Sequence, residues 1–284
     1  MRKVLACIDA SVYATSVCDH AAWAALRMPA KVEVLHVLDR LETSRTPIDL
    51  SGSIGLGANE TLLNKLTELD EQSSRIAQER GRALVDGAVK RLREAGVTEV
   101  TPRLRHGAFL ETVIEAEADA DVVVIGKRGE HADFDKLHLG GKLERVVRTS
   151  KLPVLVAARA FKPIAQVVTA FDGSPSARKA IERIGVRPIF EGLKHHVVLV
   201  GADSAQNQAH LAWARETMAA HAETAEFHLL PGAPETAIAE FIEQRGGDLL
   251  VMGAYGHSRI REFIVGSTTT ALVRTCQIPV LMFR

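Results

Sequence analysis

The segment DLLVMGAYG at 248–256 repeats DVVVIGKRG at 121–129. Each opens on an aspartate, runs through four apolar residues and ends in Gly-x-x-Gly. Four further landmarks recur in the same order around this pair. VLACIDAS at 4–11 matches VVTAFDGS at 167–174, and VEVLHVLD at 32–39 matches HVVLVGAD at 196–203. Gly107 with Glu111-Thr112 matches Gly232 with Glu235-Thr236, and LPVLVAAR at 152–159 matches IPVLMFR at 278–284. Chance produces one such pair, but hardly five in order. The chain is therefore a tandem duplication, with a boundary near Phe161-Lys162-Pro163. Two domains follow, 1–160 and 164–284, as expected for 284 residues.

Each repeat alternates short Val/Ile/Leu runs with helical patterns. Apolar runs without alternation suit parallel strands covered on both faces. Helices are expected at 12–28, 109–118 and 143–149, then at 176–184, 206–221, 235–244 and 267–275. The order β-α-β-α-β-α-β-α-β gives an α/β fold, an open parallel sheet in each half. The halves are unequal. Asp9 lies 117 residues before Gly126, but Asp172 only 81 before Gly253, an excess of 36 in the first half. The excess falls after the second strand, near 40–90. There TSRTPIDLSGSIGLGAN at 43–59 reads as a loop. Glu60–Glu94 reads as one long charged amphipathic helix or two in sequence, a solvated cover or a partner surface.

Composition narrows the function classes. Thirty-five basic residues face 35 acidic ones, and each half balances separately. No basic half exists to hold a nucleic-acid backbone. Aromatics at 5% argue against stacking platforms for single strands. The three cysteines, Cys7, Cys18 and Cys276, form no CxxC, which fits a reducing cytosol and a cytoplasmic protein. Asp9 interrupts the apolar N-terminal stretch, so a signal peptide is not expected. No apolar run reaches ~18 residues, so no membrane span is expected.

The strongest chemical signal is Gly253-Ala-Tyr-Gly256, nine residues, then Gly266-Ser267. It begins where a strand ends and finishes where a helix begins. Glycines allow close backbone approach to a phosphate. A helix starting at Ser267 directs unpaired N–H groups and a positive dipole end at an anion. The hydroxyls of Ser267 and Thr268 can donate to phosphate oxygens or cap the helix. The partner motif is Asp172-Gly173-Ser174 at the end of a first strand. In a sheet ordered 3-2-1-4-5 the first and fourth strands are neighbours at the reversal of chain order, where ligands bind. Asp172 and Gly253 then flank one crevice. The carboxylate can accept hydrogen bonds from a ribose or an adenine amine, or simply cap the next helix. His257 and Arg259, inside the glycine loop, can sit over phosphates or face solvent. Tyr255 in that loop packs or covers the site.

These residues resemble the universal stress protein family in its tandem form, over essentially the whole chain. Met252-Gly253, Gly256 and Gly266-Ser267-Thr268 fit its ATP-binding pattern G-x2-G-x9-G-[ST]. The resemblance implies two Rossmann-like (adenine nucleotide alpha hydrolase-like) domains, each a five-stranded sheet of order 3-2-1-4-5. It implies that Asp172, with Val200-Gly201, faces adenine and ribose. Gly253, Gly256, Gly266, Ser267 and Thr268 then hold the phosphates of ATP, with Mg²⁺ or Mn²⁺ upon them. It implies a role in stress survival, with little or no chemistry.

The corresponding first-half positions are Asp9, Ser11, Val37, Gly126, Gly129, Gly140 and Gly141. They depart from the pattern. Ten residues separate Gly129 from Gly140, Gly141 replaces the hydroxyl residue, and Asp133 and Asp135 intervene. Lys127 and Arg128 can offset that charge or be plain surface residues. The expected protein binds ATP in its second half. The rival readings are a slow ATP hydrolase and a nucleotide-independent scaffold whose first half takes another ligand.

Other motifs fail. Lys136 stands where a Walker A loop ending at Gly141 needs glycine. No G-x-S-x-G elbow exists for a hydrolase. His195-His196 has no nearby Cys or paired His at metal spacing, so no protein metal ligand is expected. The apolar fifth strands at 152–159 and 278–284 need a cover, since bare edges pair. The two halves are expected to join through them as an internal pseudo-dimer. Whole chains can pair further through the helix at 60–94.

Overall fold

The computed structural model describes residues 2–38, 56–129, 141–219, 224–254 and 267–284. In the first half these are β1 (Arg2–Cys7), α1 (Ala14–Arg27), β2 (Ala30–Leu38), α2 (Leu56–Glu94), β3 (Val100–His106), α3 (Phe109–Ala116), β4 (Val122–Gly126), α4 (Gly141–Thr149) and β5 (Val154–Ala157). In the second they are β6 (Gln166–Ala170), α5 (Pro175–Val186), β7 (Lys194–Val200), α6 (Ala205–Met218), β8 (Glu226–Leu230), α7 (Pro234–Arg245), β9 (Leu249–Gly253), α8 (Ser267–Thr275) and β10 (Val280–Phe283).

The strands form one sheet in the order β3-β2-β1-β4-β5-β10-β9-β6-β7-β8. Each half is the expected parallel 3-2-1-4-5 arrangement. The halves meet where β5 and β10 pair antiparallel, with Val156 opposite Val280, Leu155 opposite Leu281 and Val154 opposite Met282. All eight residues of those two strands are buried. The expected joining of the fifth strands within one chain is therefore present.

Side chains alternate across the sheet, so each face carries its own apolar layer. Val4, Ala6, Val167 and Val251 face α1, α2, α5 and α6. Leu5, Cys7, Val168 and Leu250 face α3, α4, α7 and α8. Both layers run unbroken from one half into the other. Three basic side chains also cross the seam to main-chain carbonyls. Arg27 Nε donates to Ile189 O at 2.7 Å, Lys127 Nζ to Cys276 O at 2.6 Å and an Arg284 nitrogen to Arg148 O at 2.8 Å.

The sheet register corrects one sequence match. Val4 lies beside Val32 and Val167 beside His195. Val32 thus corresponds to His195, not to His196. The long insertion is a single helix of 39 residues. It begins inside the segment read as a loop, taking in Leu56–Asn59. Its C-terminal part buries Val85, Ala88, Val89 and Leu92, and Arg91 forms a two-pronged bridge to Asp19 on α1 at 2.6 and 2.8 Å. Between 64 and 80 it is largely exposed, as a solvated cover would be. The helix expected at 109–118 ends at Ala116 and tightens into a 3₁₀ turn, Glu117–Asp119. All three cysteines are buried and unbridged, and burial pushes the Cys7 thiol well above its ordinary range. No helix among the described residues is long and apolar enough to cross a membrane.

One buried charge network stands at the foot of the first half. Lys3, 1% exposed, donates to Glu33 at 3.1 Å, to Ala116 O at 2.9 Å and to Asp119. Arg103 holds the other oxygen of Glu33 at 2.6 Å. Removing one partner of a buried ion pair leaves the other uncompensated. Lys3→Met is expected to lower the unfolding free energy by about 3 kcal/mol, read from urea titrations; an unchanged midpoint would contradict that role.

Burial also governs His20 and His195, which are 0% and 4% exposed. It lowers both pKa values below the ordinary 6.5, against the opposing pull of the Ser16 and Phe190 carbonyls. Neutral imidazoles therefore add stability that is complete above pH 6.5 and lost as acid protonates the unfolded chain first. The urea midpoint is expected to fall between about pH 7 and pH 5, and His20→Leu to flatten that fall. A parent whose midpoint holds steady over this window would refute it.

Candidate functional site

The carboxyl ends of β6 and β9 lie side by side, Ala170 opposite Met252. This brings the turn that follows β6, which carries Asp172, and the start of the next helix to the end of β9 at Gly253. Asp172 Oδ1 accepts the Ser174 N–H at 2.9 Å, which closes a tight turn over Gly173 at φ +73°. Ser174 then caps α5, its hydroxyl accepting the Ala177 N–H at 3.3 Å. The capping duty thus falls to Ser174, while Asp172 shapes the turn before it. Ser174 and Ser176 share a hydroxyl contact of 3.3 Å.

Gly253 is fixed by this helix start. An added Cβ would overlap the Ser176 side chain and come within 2.9 Å of Ala177 N. Glycine here lets α5 seat directly on the end of β9. Met252 is buried in the core beneath. At the end of β7, Val200 is half-buried and Gly201 lies against the Asn207 amide, its N–H bonded to Leu230 O at 2.8 Å. α8 begins at Ser267, as the motif requires, with Thr268 half-buried in its first turn. Tyr255, Gly256, His257, Arg259 and Gly266 lie outside the described residues.

One group here escapes sequence reasoning. His210 on α6 rests over Gly173, which has no room for a side chain beneath the imidazole. Its Nδ1 is buried and, among the described residues, has no hydrogen-bond partner. The histidine stands 38 positions from Asp172, and only the packing of α6 on α5 brings them together.

The first half keeps the same frame. Asp9 Oδ1 accepts the Ser11 N–H at 3.1 Å, Ser11 Oγ accepts the Tyr13 N–H at 3.2 Å, and Cys7 lies opposite Ile125. The contents differ. Tyr13 holds the position of Ser176, and an added Cβ at Gly126 would fall 2.8 Å from it. The Asp9 carboxylate lies against Gly129, where a Cβ would stand 3.1 Å from Oδ2. Val37 is buried in the core, so its side chain packs rather than lines a crevice. Gly141 opens α4 at an exposed position with no hydroxyl to offer. Gly140, Asp133 and Asp135 lie outside the described residues.

Lys127, read either as offsetting that charge or as a plain surface residue, is held at the seam. Its ammonium bonds the Cys276 carbonyl just past α8 of the other half. Burial lowers its pKa to about 8. A lysine at a helix C-terminus meets both unpaired carbonyls and the negative dipole end.

Comparison with known proteins agrees with this architecture. The family model described as the universal stress protein family matches residues 1–158 and again 164–284. Universal stress protein Slr1230 of Synechocystis is 36% identical over 287 residues, covering 100% of both chains. Among solved structures, a universal stress protein from Archaeoglobus fulgidus superposes with a TM-score of 0.69 at 20% identity, over 99% of this chain and 98% of that one. A putative universal stress protein from Pseudomonas aeruginosa gives 0.61 at 17% identity, over 100% and 93%. These two speak for the fold. With both repeats matched by the family model and a relative aligned end to end, the chain belongs to the universal stress protein family.

Proposed function

We propose that this protein is a cytosolic stress-response or regulatory protein that binds ATP through its second half, with Mg²⁺ or Mn²⁺ carried on the phosphates. The observation that carries the reading is the meeting of the Asp172-Gly173-Ser174 turn with Gly253 at the reversal of strand order. There a carboxylate, a helix start and glycine backbone converge. The chain's residues fit the ligand. Asp172 suits ribose or adenine donors, the start of α8 suits phosphate, and the orphaned Nδ1 of His210 is a polar atom in want of a partner. The first half is a degenerate copy. Tyr13 fills the place of Ser176, Gly141 lacks the hydroxyl and Lys127 is engaged at the seam.

Binding rather than turnover is the role assigned. Asp172 is held by the turn it forms, a positioning duty unlike that of a general base. Native mass spectrometry is expected to find one ATP per chain. Gly266→Asp sets a carboxylate among the phosphates and should weaken ATP binding by more than a hundredfold, as loss of several charge-assisted hydrogen bonds predicts. Gly140→Asp should leave the stoichiometry unchanged. Two nucleotides per chain, or none, would overturn the assignment.

Phosphate release from Mg-ATP is expected below about 0.1 s⁻¹, under the usual enzyme range of roughly 1–10³ s⁻¹. Turnover well above that would favour the hydrolase reading.

A further inference from the structure

The amino-terminal end of the sheet, opposite the nucleotide crevice, carries a second cluster in the second half. β7 and β8 pair there, His196 directly beside Glu226 and Val198 beside His228. Glu226 and His228 are two apart on one strand and so share a sheet face. His196, paired with Glu226, projects to that same face. Three donor atoms converge. His196 Nδ1 lies 3.3 Å from His228 Nε2 and 3.5 Å from Glu226 Oε2, and His228 Nε2 lies 3.6 Å from the same Oε2.

Those distances have a simple meaning. A tetrahedral ion about 2.0–2.1 Å from each ligand spaces its donors about 3.3–3.4 Å apart. The three atoms thus already form one face of a coordination tetrahedron. Two imidazoles and one carboxylate select a first-row transition ion over Mg²⁺ or Ca²⁺. The other ring nitrogen of His196 meets Gln166 Oε1 at 3.4 Å. A hydrogen on Nε2, donated to that oxygen, leaves Nδ1 with its lone pair toward the cluster, as a ligand histidine requires. Phe241 walls the site from α7, its ring 4.7 Å from that of His228 and 5.7 Å from that of His196. Glu226, 55% exposed, leaves the remaining side open to water.

The duplication supplies an internal comparison. By sheet register Glu33, Thr101 and Arg103 of the first half occupy the places of His196, Glu226 and His228. Lys3 likewise occupies the place of Gln166. There the cations of Lys3 and Arg103 neutralise Glu33. In the second half Gln166 and His228 take the places of Lys3 and Arg103, and the carboxylate, moved to the neighbouring strand, faces two imidazoles instead.

We propose that His196, Glu226 and His228 form a binding site for one divalent transition-metal ion, with a fourth position open to solvent. Such an ion would clip β8, the edge strand, to β7, a structural role independent of the nucleotide crevice at the other end of the strands.

The test uses the full chain, stripped with EDTA and titrated with ZnCl₂ by calorimetry. One Zn²⁺ per chain is expected, with a raised melting temperature. Co²⁺ in its place should give the visible absorption of a tetrahedral site. His196→Ala and His228→Ala should each weaken Zn²⁺ binding by at least tenfold. Glu226→Gln, at an exposed side chain, should do the same while leaving the metal-free melting temperature unchanged. His106→Ala, outside the cluster, should bind as the parent does. A parent that takes up no Zn²⁺ at about 100 µM, over tenfold above the micromolar affinity sought, would overturn the proposal. So would a His196→Ala, His228→Ala double variant that binds as tightly as the parent.

Discussion

The pairing of β5 with β10 is the constraint on which the architecture rests. Each half alone would end in four buried apolar residues with an open row of backbone donors and acceptors. Unpaired, such an edge recruits another chain. Joined antiparallel, the two edges close each other and fuse two apolar layers into continuous ones. The outer edges need no such cover. β3, with Pro102, Arg103 and Arg105, resists pairing through a missing donor and exposed charge. The long helix α2 packs against β3 from one face, so the insertion also shields the first half's edge.

Most of this order is legible in the sequence because it is written twice. Apolar runs identify strands, spacing identifies the intervening helices, and repetition fixes which strand matches which. The register is not legible in the same way. β2 and β7 are apolar on both faces, so nothing in their alternation separates one alignment from its neighbour. The one-residue slip between Val32 and His196 arose there. It hid more than an alignment detail. Without the register, His196, Glu226 and His228 are three separate residues, and the spacing of ligands along one segment has nothing to detect.

The candidate nucleotide site was half legible for a related reason. Asp172, Ser174, Gly253 and the start of α8 follow from local chain rules: turn, cap, close approach, helix start. Tyr13 beside Gly126, His210 over Gly173 and Lys127 at Cys276 depend on how helices and halves pack. Lys127 is instructive, because its place in the sequence suggests only an offset for nearby aspartates or a plain surface residue. A buried carbonyl in the other half was the stronger attraction, and no feature near residue 127 announces it.

The seam has one further consequence. An antiparallel pair has a two-fold axis, here passing near Leu155 and Leu281. In an assembly of two identical subunits built on such an axis, every substitution is made twice, and both copies must tolerate it. Covalent linkage lifts that rule. The position of Lys127 in one half is held by buried Ala254 in the other, and that of Tyr13 by Ser176. Each copy is free to drift while its twin holds still. The joined edge thus does more than stabilise: it releases the chain from symmetry, so that one repeat can specialise.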